Sequence, residues 1–66
     1  MPKHITITFE IENEEFEGSL ADLAYNRILA GIARKIVAGM ELGHIHDING
    51  YIIGFWSFGE GEVEIP

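Results

Sequence analysis

His44-Ile45-His46-Asp47-Ile48-Asn49-Gly50-Tyr51-Ile52-Ile53-Gly54-Phe55-Trp56-Ser57-Phe58 sets Asn49-Gly50 between two apolar runs, the strongest short-range signal for a β-hairpin. Two registers fit. A two-residue type I′ turn at Asn49-Gly50 sets Ile48 opposite Tyr51. A type I turn over Asp47-Ile48-Asn49-Gly50, closed by a glycine bulge, sets Asp47 opposite Tyr51 and changes every cross-strand partner. Asp at the first turn position and Gly at the fourth favour the second.

Upstream, Lys3 to Glu12 alternates strictly, with Ile5, Ile7, Phe9 and Ile11 on one side and Thr6, Thr8, Glu10 and Glu12 on the other. This is the pattern of a half-buried strand. Asn13 to Gly18 is a short acidic connection, and Ser19-Leu20-Ala21-Asp22 has the S-x-x-D form of a capped helix start. A helix therefore begins near Leu20. Tyr25, Ile28, Leu29, Ile32, Ile36 and Met40 fall within an arc of about 120° on its wheel, the width of a core-facing stripe. Gly43 suits the C′ position. A helix of that extent spans about 33 Å at 1.5 Å per residue, longer than a small sheet, so Gly31 or Gly39 is a point at which it bends or stops. Past the hairpin, Phe58 to Glu62 reads as a tight connection and Glu62 to Ile65 as a short last strand whose glutamates discourage stray edge pairing. The order β-α-β-β-β predicts an α+β fold: an antiparallel sheet of about four strands with one helix packed on one face.

At 66 residues the chain has room for a single domain, residues 1–66, with a thin core. The lack of cysteine removes disulfides, thiolate metal sites and cysteine nucleophiles, and fits a reducing compartment such as the cytoplasm. No apolar run reaches the roughly 18 residues of a membrane helix, and Met1-Pro2-Lys3-His4 leads into the first strand pattern without the features of a signal peptide. Eleven acids against four bases give a net charge of −7. Such a surface repels phosphate, which argues against direct nucleic-acid or membrane binding and for a basic protein surface as partner.

His44-Ile45-His46-Asp47 is the one cluster with metal-ligand character, since histidines two apart on a strand face the same way. It resembles the front of the H-x-H-x-D-H motif of binuclear metallohydrolases. However, Asp47 follows His46 directly, Asn49 stands where the last histidine belongs, and those enzymes need a far longer chain. Solvated histidines beside a turn are the better reading, and no metal or other cofactor is expected. Ser19 is accounted for as a cap, Ser57 has no histidine at a recognisable spacing, and the glycines form no phosphate-binding fingerprint. Acid/base work by a carboxylate pair needs a cleft for which so small a domain has little room. The chain reads as a non-enzyme.

Eight of the eleven acids lie in two groups: Glu10, Glu12, Glu14, Glu15 and Glu17, then Glu60, Glu62 and Glu64. If the first and last strands adjoin, carboxylates two residues apart project at about 6.8 Å, close to the phosphate step of a nucleic-acid strand. The plainer alternative is a solvated face that aids solubility. Arg27 and Arg34 share the outer helix face with Ala24, Gly31 and Ala38, which recur every seven residues and form a candidate homodimer contact. Among the aromatics, Trp56 or Tyr51 is expected to face outward as a binding anchor.

In length, in its two glutamate groups, and in the compact Asp47-Ile48-Asn49-Gly50 hairpin leading into Gly54-Phe55-Trp56, the chain resembles the small, cysteine-free, acidic anti-CRISPR and anti-restriction proteins of phages and mobile elements. The resemblance implies a stoichiometric inhibitor in the host cytoplasm that binds a nucleic-acid-binding effector subunit, in some cases by DNA mimicry. The alternative is a homodimeric structural or assembly module that uses the small-residue helix face and the aromatic hairpin.

Overall fold

The computed structural model describes residues 3–60, of Glu60 the backbone only. Strand β1 (Lys3–Phe9), helix α1 (Ala21–Val37), strand β2 (Leu42–His46) and strand β3 (Ile52–Glu60) follow in order, with one 3-10 turn, Glu14–Phe16, between β1 and α1. The three strands form an antiparallel sheet in the order β1-β3-β2, with the helix on one face. The α+β architecture is the one expected. The fourth strand expected over Glu62 to Ile65 lies outside the described residues.

The pairing decides the hairpin register. Asp47 N–H donates to the Tyr51 carbonyl at 2.9 Å and Gly50 N–H to the Asp47 carbonyl at 3.0 Å. Gly50 has a φ of +88°, the left-handed conformation that glycine adopts without penalty. Asp47 therefore faces Tyr51. A register shift follows: Ile45 pairs with Gly54 but His46 with Ile52, so Ile53 is the extra residue of a bulge. Ile53 packs against the core beside a Gly54 that has no side chain of its own to place there.

Ile7, Trp56 and Gly43 lie in one cross-strand row, and Phe9, Gly54 and Ile45 in another. Both rows face the helix. Trp56, which was a candidate for the outer surface, is wholly buried, together with Phe16, Ala24, Ile28, Ile32 and Ile45. The alternation argument alone leaves it free to face either way; the settled register puts it opposite Ile7, on the covered side. A Cβ on Gly43 would lie 2.7 Å from the indole Nε1 and 3.2 Å from Cε2, so the ring rests on bare backbone.

The first strand ends at Phe9, earlier than Glu12, and Ile11 is exposed. Ile5 and Ile7 share the helix side of the sheet yet remain 55% and 37% exposed. One helix about 10 Å across cannot cover three strands spaced about 4.8 Å apart together with their side chains, and β1 is the strand left partly open. On the face away from the helix, Thr6, Ser57 and Leu42 form one row and Thr8, Phe55 and His44 the next; Leu42 and Phe55 are exposed there.

The helix starts and stops differently from expectation. Its N-cap is Leu20, with no side-chain cap, and Ser19 is not the cap. Gly18, at φ +81°, turns the chain so that its carbonyl accepts from Ala21 N–H at 3.3 Å and the Leu20 carbonyl from Leu23 N–H at 3.1 Å; backbone oxygens take the place of the serine hydroxyl. At the other end Met40 N–H bonds the Lys35 carbonyl and Gly39 N–H the Ile36 carbonyl, both at 3.0 Å. This is a Schellman motif with Gly39 at C′ and φ +97°. Gly39 ends the helix, and Gly43 belongs to β2. Met40 lies beyond the helix and Leu29 is exposed, whereas Ala24 is buried. The buried arc is thus rotated by roughly 50° from the expected stripe, at 100° per residue.

Gly54 tests this packing. A Cβ there would run into the Thr8 carbonyl oxygen and lie 2.5 Å from Phe9 Cα and 2.6 Å from Phe9 Cβ, whereas one on Gly59 meets nothing within 4 Å. Gly54→Ala is expected to destabilise the fold by more than about 3 kcal/mol, and Gly59→Ala by less than about 1 kcal/mol. Urea unfolding followed by the fluorescence of Trp56, the one tryptophan, checks both.

Candidate binding site at the turn end

Residues 10–17 and the turn Asp47–Tyr51 meet at one end of the molecule, and sequence patterning gives no warning of how. Asn13 caps the 3-10 turn through its Oδ1, which accepts from Glu15 N–H at 3.2 Å, and its Nδ2 donates to Asp47 Oδ2 at 2.8 Å. Asp47 Oδ1 accepts from the N–H groups of Asn49 and Tyr51, each at 2.9 Å. The Asp47 carboxylate is thereby held by three donors and is buried. Glu15 makes the second tie. Its Oε1 accepts from Arg27 Nη1 at 2.6 Å and its Oε2 from Ile48 N–H at 2.7 Å. One acidic residue thus links the connection, the helix and the hairpin.

Between these ties Phe16 drops into the core. Its ring centroid lies 5.8 Å from that of Phe9 and 5.4 Å from that of Tyr25, with Phe9 and Tyr25 at 6.3 Å. Read as part of a solvated acidic run, Phe16 goes unnoticed. The available signal was a lone aromatic among five glutamates, with an Asn-x-x-Phe spacing that suits a capped turn.

Several expected site residues are accounted for differently. Glu15 is not free for a partner, because its side chain is 8% exposed and spent on Arg27 and Ile48. Arg27 is correspondingly engaged, and Ala24 lies in the core at 4% exposure. The helix stripe is therefore interrupted at Ala24: of its other members, Arg27, Arg34 and Ala38 are exposed and Gly31 is half-buried. Trp56 is unavailable, and Tyr51 is 69% exposed. Glu10, whose N–H still bonds the Ile53 carbonyl at 2.9 Å, and Glu12 lie past the end of β1, and with Glu14 and Glu17 they are exposed. The backbone of Glu60 pairs with Lys3, the end of β1 remote from Glu10 by about 24 Å at 3.4 Å per residue. Glu60 does not join the first glutamate group, and Glu62 and Glu64 lie outside the described residues.

What the fold does bring together is an acidic connection and a turn. Glu10, Glu12, Glu14 and Glu17 are exposed on the connection that Asn13 and Glu15 tie to the turn, whose Ile48 and Tyr51 are exposed at 68% and 69%. His44 pairs with Phe55, while His46 stands across the bulge from it and lines a groove beside the helix. Among the described residues no group of three His, Asp or Glu side chains is placed to hold a metal ion, and no helix is long and apolar enough to cross a membrane. Comparison with protein families, with curated proteins and with solved structures finds no match to this chain.

Two measurements probe the ties. Asp47→Ala leaves three donors without their acceptor and is expected to cost about 2–4 kcal/mol, with Asp47→Asn falling between. The hydrogen bond from the Arg27 guanidinium holds the Glu15 carboxyl below its ordinary value of 4.5, and the Ile48 N–H adds to this, against desolvation and the nearby Asp47. A group whose folded value is depressed stabilises the fold above its unfolded value and loses that contribution as pH falls through the folded one. Stability is therefore expected to drop on acidification below about pH 4.5, and Glu15→Gln to remove part of that drop, read from urea midpoints at successive pH values.

Proposed function

We propose that this protein is a non-catalytic, acidic binding module that docks its turn end on a basic protein surface and so blocks nucleic-acid binding there. The observation that carries this reading is the combination at that end: four exposed glutamates, Glu10, Glu12, Glu14 and Glu17, on a connection tied by Asn13 and Glu15 to a turn with an exposed tyrosine and isoleucine, Tyr51 and Ile48. Charge gives rate and orientation of encounter, while a tyrosine that already sits on a rigid turn gives an anchor at small entropic cost. The ties through Asp47 and Glu15 fix both parts before a partner arrives, which reduces the ordering cost of association.

A strand-borne carboxylate ladder at phosphate pitch is not part of this reading, because β1 stops at Phe9 and Glu60 sits at its other end. The partner class stays that of a nucleic-acid-binding effector subunit, for which a cluster of lysine and arginine is the matching surface. The cytoplasm of a host cell is where such a partner resides.

The test is a pull-down from cell lysate at low and high ionic strength, with the captured proteins identified and then challenged with nucleic acid. Capture of nucleic-acid-binding proteins that is lost at high salt, lost on adding DNA or RNA, and reduced about tenfold or more by changing all four glutamates to Gln supports the reading. Tyr51→Ala is expected to weaken the same complexes by a similar factor. Complexes indifferent to salt and to both variants would sink it.

A further inference from the structure

Between helix α1 and strand β2 runs a groove of about 160 Å³. Residues four apart lie on one helix face, so Ile28 and Ile32 form one row of its lining and Arg27, Gly31 and Lys35 the next. The first row is buried with Ile45 of β2 and makes an apolar floor. In the second, the exposed Arg27 and Lys35 stand on either side of Gly31, their Cα atoms about 12 Å apart along the axis at 1.5 Å per residue. Gly31 therefore leaves a gap in the rim between two cations.

Nothing among the described residues requires that gap. Gly31 is not one of the glycines with positive φ. A Cβ on it would meet one atom within 4 Å beyond the helix's own backbone, Arg34 Nη2 at 3.9 Å, which is ordinary contact. Alanine would fit, and it is a far better helix former than glycine. The space left open at mid-helix is instead overhung by the Arg34 guanidinium. Arg34 and Lys35 make no ion pair among the described residues, and Arg27 gives one nitrogen to Glu15. Of the four Lys and Arg in a chain with eleven acids, three thus stand around this gap.

An apolar floor beneath unpaired cations suits a ligand with an apolar body and one anionic head. Volume sets its size: a cavity of about 150 Å³ holds benzene, whereas drug-sized ligands occupy roughly 300–1,000 Å³. We infer that the groove binds small monocarboxylates that carry a single ring or a short branched chain, with the apolar part on Ile28, Ile32 and Ile45 and the carboxylate over Gly31, between Arg34 and Lys35. A carboxylate matches the planar fork of a guanidinium and accepts two of its N–H groups at once. A polyanion would gain nothing from the floor and would meet the repulsion of a chain at −7. The inference does not rest on the function proposed for the turn end.

Titration of the 15N-labelled full chain with benzoate at constant ionic strength, followed through amide chemical shifts, tests this. Saturable shifts centred on Ile28, Gly31, Ile32 and Ile45 are expected. Binding is at least fivefold weaker for benzamide, which keeps the ring without the charge, and for acetate, which keeps the charge without the ring. Gly31→Leu, which fills the gap with a good helix former, and the double change Arg34→Gln, Lys35→Gln each weaken benzoate binding at least fivefold. Lys3→Gln, which removes a base on β1, does not. Trp56 emission confirms that each variant is folded; if Gly31→Leu is not, the double variant decides, since both of its positions are exposed. No saturable shift with benzoate, an equal response to benzamide or acetate, or binding that survives in a folded groove variant would overturn the inference. So would a loss as large in Lys3→Gln.

Discussion

The burial of one indole is the constraint from which the rest of the structure follows. Trp56 is the largest wholly buried side chain, and at 25 cal/mol per Å² an aromatic of its class contributes about 4–6 kcal/mol. That is comparable to the entire net stability of a typical domain, about 5–15 kcal/mol. The indole occupies the centre of the central strand, and every neighbour is arranged to admit it. Gly43 opposite has no side chain, Ile7 closes the other flank, and the small Ala24 turns inward with Ile28 and Ile32. Among the described residues its Nε1 is the one buried side-chain polar atom without a partner, an omission that costs about 1–3 kcal/mol. The core accepts that loss because no smaller residue at position 56 would fill the space under so short a helix.

Centring the tryptophan also explains the backbone. A helix must approach β3 closely to cover it, and β1 must approach from the side, which is why Gly54 sits where any Cβ would strike Thr8 and Phe9. The bulge at Ile53 restores the apolar volume that Gly54 lacks, by bringing a side chain from the next position to the core. The bulge in turn fixes where the strands part, and the turn that joins them is held by Asp47 together with Asn13. Packing and polar ties are therefore not independent: the bond that anchors the turn also anchors the connection that delivers Phe16.

The sequence announced its strands through period-two alternation and its turn through Asp47 and Gly50, because these signals are local. It misplaced the two helix ends for the same reason. Ser19 and Gly43 are each suitable at short range, but Gly18 and Gly39 adopt positive φ and intercept the chain first. The rotation of the buried helix face was not readable from hydropathy, since Ala24 counts little on such a scale yet is the residue small enough to sit near Trp56. Of the candidate site, the exposure of Glu10, Glu12, Glu14 and Glu17 was legible, whereas Tyr51 and Trp56 stood as alternatives for the outward aromatic until the register was settled. The sharing of Glu15 between Arg27 and Ile48 was not, because it joins residues 12 and 33 positions apart and depends on the hairpin register being settled first.

The distribution of charge then has a structural logic of its own. A chain at −7 resists compaction through self-repulsion, and the fold relieves this in two ways. It neutralises Glu15 internally and gives Asp47 three donors, so two of the acids in the crowded end stabilise the structure rather than strain it. The remaining glutamates of residues 10–17 stay in water, beside a turn that presents Tyr51 and Ile48 outward. Apolar side chains next to unpaired acids are poorly served by solvent and poorly served by another copy of the same end, where like charges would meet. The proposed partner, with cations at its rim and an apolar pocket at its centre, answers both. Arg27 and Lys35 lie instead on the helix beside β2, so the acidic and basic side chains of the fold are segregated.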